Sequence, residues 1–140
     1  MNPKLDEVRE WLKKASNDFS SARILIRHRP PVLDTACFHC QQAVEKVLKA
    51  FLVWKVVRFE KVHSLIYLLD LCETMEPGFV VLRERVETLA PFAVEMRYPG
   101  EATEISYGDA MSAVATTETV WNFVLNLLPC ELHTPPMAEE

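Results

Sequence analysis

Glycine is scarce in this chain of 140 residues, which contains three glycines and no Asn-Gly or Asp-Gly pair. Since the shortest β-hairpin turns favour such pairs, the sequence offers no turn chemistry for an all-β fold. Long apolar runs are missing too. The longest stretch without Asp, Glu, Lys or Arg runs from Thr119 to Cys130, well short of the ~20 apolar residues that a membrane span needs. We therefore expect a helical protein with no transmembrane segment.

The start of the sequence lacks the apolar region of a secretory signal. Lys4, Asp6 and Glu7 are charged where a signal peptide would be apolar, so export is not expected. Four cysteines in such a chain fit free thiols better than a disulfide framework. We expect a cytoplasmic protein.

The length and composition predict one domain. Hydrophobic residues make up 49% of the chain and charged residues 25%, which is typical of a folded, soluble domain. A chain of this size buries roughly two-thirds of its unfolded surface, which is enough for one core. Pro129 follows the last apolar segment, so we expect a bundle over residues 1–129 and a flexible tail over residues 130–140.

Charge is distributed unevenly along the chain, although the total is only −5. From Tyr98 to the end there are seven acids and no Lys or Arg, whereas eight bases and three acids lie between Arg23 and Lys61. An acidic protein is a poor general coat for nucleic acid, so RNA is not the favoured ligand. A local basic zone can focus an anionic ligand or an acidic partner surface, and the alternative is solvated helix surface.

Apolar residues recur every three or four positions in the segments that prolines separate, a pattern typical of amphipathic helices. The apolar segments cover about residues 5–26, 37–54, 65–72, 79–91 and 107–128. Asn2 and Pro3 suit the start of the first helix, and Ser64 suits the start of the third. We predict an all-α fold, an antiparallel up-and-down bundle of about five helices. The few charges of the fifth helix indicate deep burial or an oligomer contact.

One face of the second predicted helix gathers polar side chains that suit a phosphate. At about 100° per residue, the side chains within about 80° of arc are His39, Gln42, Lys46 and Lys49. Two lysines one turn apart can meet successive phosphates, and His39 and Gln42 add neutral hydrogen-bonding groups. The alternative is the ordinary wet face that any amphipathic helix presents.

The segment Arg97-Tyr98-Pro99-Gly100 lies between the fourth and fifth predicted helices. Arg97 is the last base in the chain and can bind a phosphate, while Tyr98 can stack on a base or ribose. An ordinary turn between helices is the alternative.

No motif for metal binding or catalysis stands out. Cys37 and Cys40 have the spacing of a zinc knuckle, but no second close pair of ligands follows, so both fit small hydrophobes on the apolar stripe. The histidines are not paired in sequence with a recognisable nucleophile, and phosphate-binding glycine loops and metalloprotease patterns are absent from the sequence. We expect no catalytic residue, metal or cofactor in the isolated chain.

The run from Phe38 to Ala50, FHCQQAVEKVLKA, resembles the signature helix of the HEPN domain, a nucleotide-binding helical domain of prokaryotes and higher eukaryotes. Other features agree in order with the same family: Ala15, Asp18 and Ala22, then His63-Ser64-Leu65, then Arg97-Tyr98-Pro99. The resemblance covers about residues 5–128. It implies a helical bundle, usually a homodimer, often encoded beside a minimal nucleotidyltransferase in a toxin-antitoxin-like pair.

Many proteins of this family are metal-independent ribonucleases that use an arginine followed, after four to six residues, by a histidine. Arg97 matches the arginine, but Ala102, Thr103 and Glu104 stand where the histidine would fall. The resemblance therefore implies a non-nuclease module that binds a nucleotide, another phosphate ligand or a nucleotidyltransferase. Its expected contacts are Lys46, Lys49, Arg97, Tyr98, His39 and Gln42. The alternatives are a ribonuclease toxin and a purely structural homodimer.

Overall fold

The structure is a computed structural model that describes residues 2–93 and 104–133. Its α-helices are α1 (Pro3–Arg27), α2 (Leu33–Trp54), α3 (Leu65–Met75), α4 (Arg83–Leu89) and α5 (Tyr107–Leu127), with 3-10 helices over Pro77–Leu82, Ala90–Ala93 and Cys130–Leu132. No strand occurs in these two ranges, so the prediction of an all-α bundle is confirmed. Nor is any helix within them both long and apolar enough to cross a membrane.

Helices α1 and α2 form the antiparallel hairpin that the sequence predicts. The Asn2 side chain accepts a hydrogen bond from the Lys4 backbone N–H, and Pro3 opens α1, so the helix begins at its expected cap. The connection around Pro30 is closed by a hydrogen bond from the Val32 N–H to the Leu25 carbonyl. The apolar stripe of α1 is buried from Val8 to Ile26 against α2.

Helix α2 is the centre of the bundle, because it packs against α1, α3 and α5. Its buried residues include Gln41, Glu45 and Lys49 as well as the apolar stripe. A helix with neighbours on so many sides has little room for a solvated face. The polar arc predicted for α2 therefore points mostly into the protein, which changes the environment of its lysines.

The expected fourth helix is divided into three short pieces. A 3-10 helix precedes α4 and another follows it, because Pro77 and Pro91 cannot donate backbone hydrogen bonds. The first 3-10 helix places Phe79 in the core, where its ring contacts Phe51 and Phe123 at centroid distances of 4.8 Å each. These edge-to-face ring contacts join α2, the α3–α4 connection and α5.

Helix α5 begins at Tyr107, as predicted, behind a capping box. The Ser106 hydroxyl accepts from the Asp109 N–H, and the Asp109 carboxylate accepts from the Ser106 N–H. Beyond the boundary predicted at residue 129, the chain forms one more helical turn, in which Leu132 is buried. Residues 134–140 of the predicted tail lie outside the described residues.

Candidate functional site

A seam of polar side chains runs along the buried side of α2. Its members are Asp18 from α1, His39, Gln41, Gln42, Glu45, Lys46 and Lys49 from α2, and His63 from the segment before α3. We call this set the polar seam. Hydrogen bonds divide it into two clusters, each built around one carboxylate.

The first cluster is centred on Asp18. One carboxylate oxygen of Asp18 lies 2.9 Å from His39 Nδ1, and the other forms an ion pair with the Lys46 ammonium. Because an ionised carboxylate only accepts hydrogen bonds, His39 donates from Nδ1. All three side chains are largely buried. The predicted ligand residues His39 and Lys46 are therefore brought together, but by an acid that neutralises the lysine.

The second cluster is centred on Glu45, whose side chain is only 3% exposed. One of its oxygens lies 2.9 Å from Lys49 Nζ. His63 Nδ1 lies 3.2 Å and 3.1 Å from the two carboxylate oxygens and donates to them. Burying a carboxylate without such partners destabilises the folded state, so the burial of Glu45 depends on both Lys49 and His63.

Lys49 is enclosed by aromatic rings as well as by its acid. Its Nζ lies 5.3 Å from the Trp11 ring centroid and 5.8 Å from that of Phe59. Contact with ring faces favours a buried cation, and the ring bulk excludes water from it. Lys49 is therefore a structural cation of the core and not a flexible surface lysine.

Two glutamines join the seam to the segment before α3. The buried Gln41 donates from Nε2 to the His63 carbonyl over 3.2 Å, and Gln42 donates to the Gln41 side-chain oxygen over 2.8 Å. The next residue, Ser64, caps α3 by accepting from the Tyr67 N–H. Hydrogen bonds thus fix the backbone of His63 and of Ser64, the residue that follows it.

The charges of the polar seam cancel. Its two carboxylates, Asp18 and Glu45, match its two ammonium groups, Lys46 and Lys49. The seam therefore has no net charge when its histidines are neutral. A phosphate would have to compete with a carboxylate for each lysine.

Sequence reasoning placed four of the six predicted contacts on one side of α2, but it missed four members of the seam: Asp18, Gln41, Glu45 and His63. The pairing of Glu45 with Lys49 was visible in their spacing of four residues along a helix. Asp18 and His63 are distant in sequence and join the seam only through the fold. Arg97 and Tyr98 lie outside the described residues, so their assignment stays a prediction.

The cysteines are free thiols, with Cys37, Cys40 and Cys72 buried and Cys130 exposed. Burial raises the pKa of the Cys40 thiol to about 12, and burial also raises the pKa of Cys72. A thiol that keeps its proton is a poor metal ligand and a poor nucleophile. In residues 2–93 and 104–133, no group of three or more His, Cys, Asp or Glu side chains is arranged to hold a metal.

Comparison with known proteins identifies the class. The family model of the HEPN domain matches residues 8–127, and this chain belongs to the HEPN family. The crystal structure of ST0689, an archaeal HEPN homologue, matches with a TM-score of 0.69 and 23% sequence identity, covering 86% of this chain and 96% of that one. At this identity the likeness supports the fold alone. No curated protein matches this chain.

Proposed function

We propose that this protein is a binding module that acts through protein contacts, paired with a minimal nucleotidyltransferase in a toxin-antitoxin-like system. In this pair the partner supplies the nucleotide chemistry. Family membership and the missing histidine of the Arg-x4–6-His motif both support this division of labour.

The observation that carries the proposal is the charge balance of the polar seam. Lys46 and Lys49 are each engaged by a carboxylate, at the positions where a nucleotide-binding module would present free cations. A phosphate gains little from a lysine whose charge is already compensated, because the existing ion pair has to open first. Nucleotide binding by the six predicted residues remains the alternative hypothesis.

Self-association through α1 and α5 is part of the proposal. A groove of about 250 Å³ between these helices is lined by Ile26, Met111 and Val114 among others, and the neighbouring Ile24 is 60% exposed. Arg23 of α1 also lines this groove and pairs with Glu118 of α5 in the same chain over 3.7 Å. In a two-fold dimer the same surface meets itself, so the apolar residues of the two grooves pack against each other.

The proposal is tested by co-expression with the nucleotidyltransferase. Affinity capture and a melting curve of the complex follow. We expect a stoichiometric complex and a higher melting temperature than that of the isolated chain, because a partner that binds only the folded state stabilises it. A nucleotide that raises the melting temperature of the wild type but not of Lys46→Ala, together with no complex formation, would overturn it.

RNA cleavage is a second candidate, favoured by one observation. The His63 side chain is 73% exposed, and its Nδ1 is fixed on Glu45, so Nε2 is free to accept a proton from a ribose hydroxyl. The test is cleavage of RNA in the presence of EDTA by the wild type and by His63→Gln and Arg97→Ala. Intact RNA at micromolar protein removes this candidate.

A further inference from the structure

A second groove lies at the end of the bundle where α1 begins and α2 ends. Its volume is about 470 Å³, and its lining includes Lys4, Val53, Val56, Val57, Arg58 and Phe59. We call it the basic groove. It shares no residue with the polar seam, although its Phe59 ring lies near Lys49, and it is separate from the α1–α5 groove, which lies toward the other end of α1.

Val56 sits in this groove in a conformation that valine rarely adopts. Its φ angle is 59°, in the left-handed region, where a β-branched side chain is strained. The Val57 N–H donates to the Leu52 carbonyl over 2.9 Å and the Val56 N–H to the Val53 carbonyl over 3.0 Å. These two bonds define a Schellman motif, in which the position of Val56 is normally glycine.

The Val56 side chain is also 75% exposed. An exposed apolar residue contributes little burial, and a glycine here would remove the strain. The left-handed conformation of Val56 therefore costs stability, and burial of its side chain offsets little of that cost. Backbone strain that persists in this way is characteristic of positions with a role in binding.

The charges around the groove are available to a ligand. The Lys4 ammonium lies 4.3 Å from the Trp54 ring centroid, and Arg58, the second base of the lining, is exposed. Glu7 is the acid of the lining, which leaves two bases against one acid. The surface thus combines an apolar floor with a mainly cationic rim.

We propose that the basic groove is a docking site for an acidic polypeptide segment with an apolar anchor residue. The anchor packs against Val53, Val56 and Val57, and its acidic neighbours meet Lys4 and Arg58. A polypeptide fits better than a membrane, because the surface is concave. It fits better than a nucleic acid, because the lining offers two cations, Lys4 and Arg58, and not the line of bases that a phosphate backbone needs. The proposal does not depend on the nucleotidyltransferase being the partner.

Fluorescence anisotropy with a labelled synthetic peptide of glutamate and leucine residues tests this inference on the full chain. We expect Arg58→Glu to weaken binding about tenfold, which corresponds to about 1.4 kcal/mol. Val56→Gly is expected to raise the melting temperature while weakening binding, two changes of opposite sign that loss of folding does not produce. Glu7→Gln is expected to strengthen binding.

Matched controls distinguish specific docking from non-specific binding. Val81→Ser removes another exposed valine, outside the groove, and is expected to leave binding unchanged. A lysine–leucine peptide is expected not to bind. Equal binding of the two peptides, or binding that both Arg58→Glu and Val56→Gly leave intact, would overturn the proposal. Tighter binding to vesicles of anionic lipid than to the acidic peptide would also overturn it.

Discussion

The polar seam and the basic groove both contain lysines, but the two regions use them in opposite ways. In the seam, Lys49 Nζ lies 2.9 Å from a buried carboxylate and between aromatic rings. At the groove, Lys4 and Arg58 lie beside an apolar floor, and Arg58 is exposed. A run of bases in the sequence therefore does not by itself locate a ligand site. Whether a base is available to a ligand depends on whether the fold places an acid beside it.

The two regions also differ in what they cost the folded state. Charges that are buried on folding lose their hydration, and only the attraction and hydrogen bonds between the partners compensate for that loss. Removing one charged member of the seam therefore leaves a buried charge uncompensated. The groove keeps its charges in water, where single ion pairs contribute about 0–1 kcal/mol. Substitutions of charged residues in the seam are thus expected to change stability, and substitutions of charged residues in the groove are expected to change binding.

The largest expected effect is that of Glu45→Gln. This change leaves the Lys49 ammonium buried without a countercharge, and we expect a loss of about 3 kcal/mol in the free energy of unfolding. Urea denaturation with linear extrapolation measures it. The double variant Glu45→Gln/Lys49→Met is the control, because it removes both charges, and it is expected to recover much of the loss. An unchanged stability in Glu45→Gln would show that the pair is not buried in solution.

The buried thiols are expected to make the stability of the protein depend on pH. The pKa of Cys40 rises from its ordinary value of 9.0 to about 12 in the folded protein. Above pH 9 the unfolded state loses a proton that the folded state keeps, so stability is expected to fall as pH rises from about 9 to about 12. The slope is at most about 1.4 kcal/mol per pH unit for each such thiol.

Denaturation at pH 8 and pH 10 checks this slope. Cys40→Ala/Cys72→Ala is the matched control, since it removes both buried thiols whose pKa is raised. We expect the stability of this variant to depend less steeply on pH than that of the wild type. Equal slopes in the two proteins would mean that other groups cause the alkaline loss.

The smallest expected effect has the opposite sign. Val56→Gly relieves the left-handed strain at the end of α2, and we expect a gain of about 1 kcal/mol in stability. The same denaturation experiment measures it. Val56→Ala is a useful comparison, because it keeps a Cβ atom and should gain less than glycine. A loss of stability in Val56→Gly would mean that the valine side chain packs in solution more than its exposure indicates.

The sequence is most informative where structure is set by neighbouring residues. The Asn2 cap, the α1 stripe and the start of α5 at Tyr107 follow from local pattern and were predicted. The pairing of Asp18 with Lys46 was not predictable, because it depends on how α1 packs on α2. The left-handed Val56 was not predictable either, since residue preference argues against it.

The most direct test of the central claim is to follow the side-chain ammonium signals of Lys46 and Lys49 by nitrogen-15 NMR while a nucleoside triphosphate is added. If these lysines serve as internal partners of Asp18 and Glu45, both signals stay in place at nucleotide concentrations up to the millimolar range. A saturating shift of either signal at micromolar nucleotide, abolished by Lys46→Ala, would contradict the account and make the polar seam a nucleotide site.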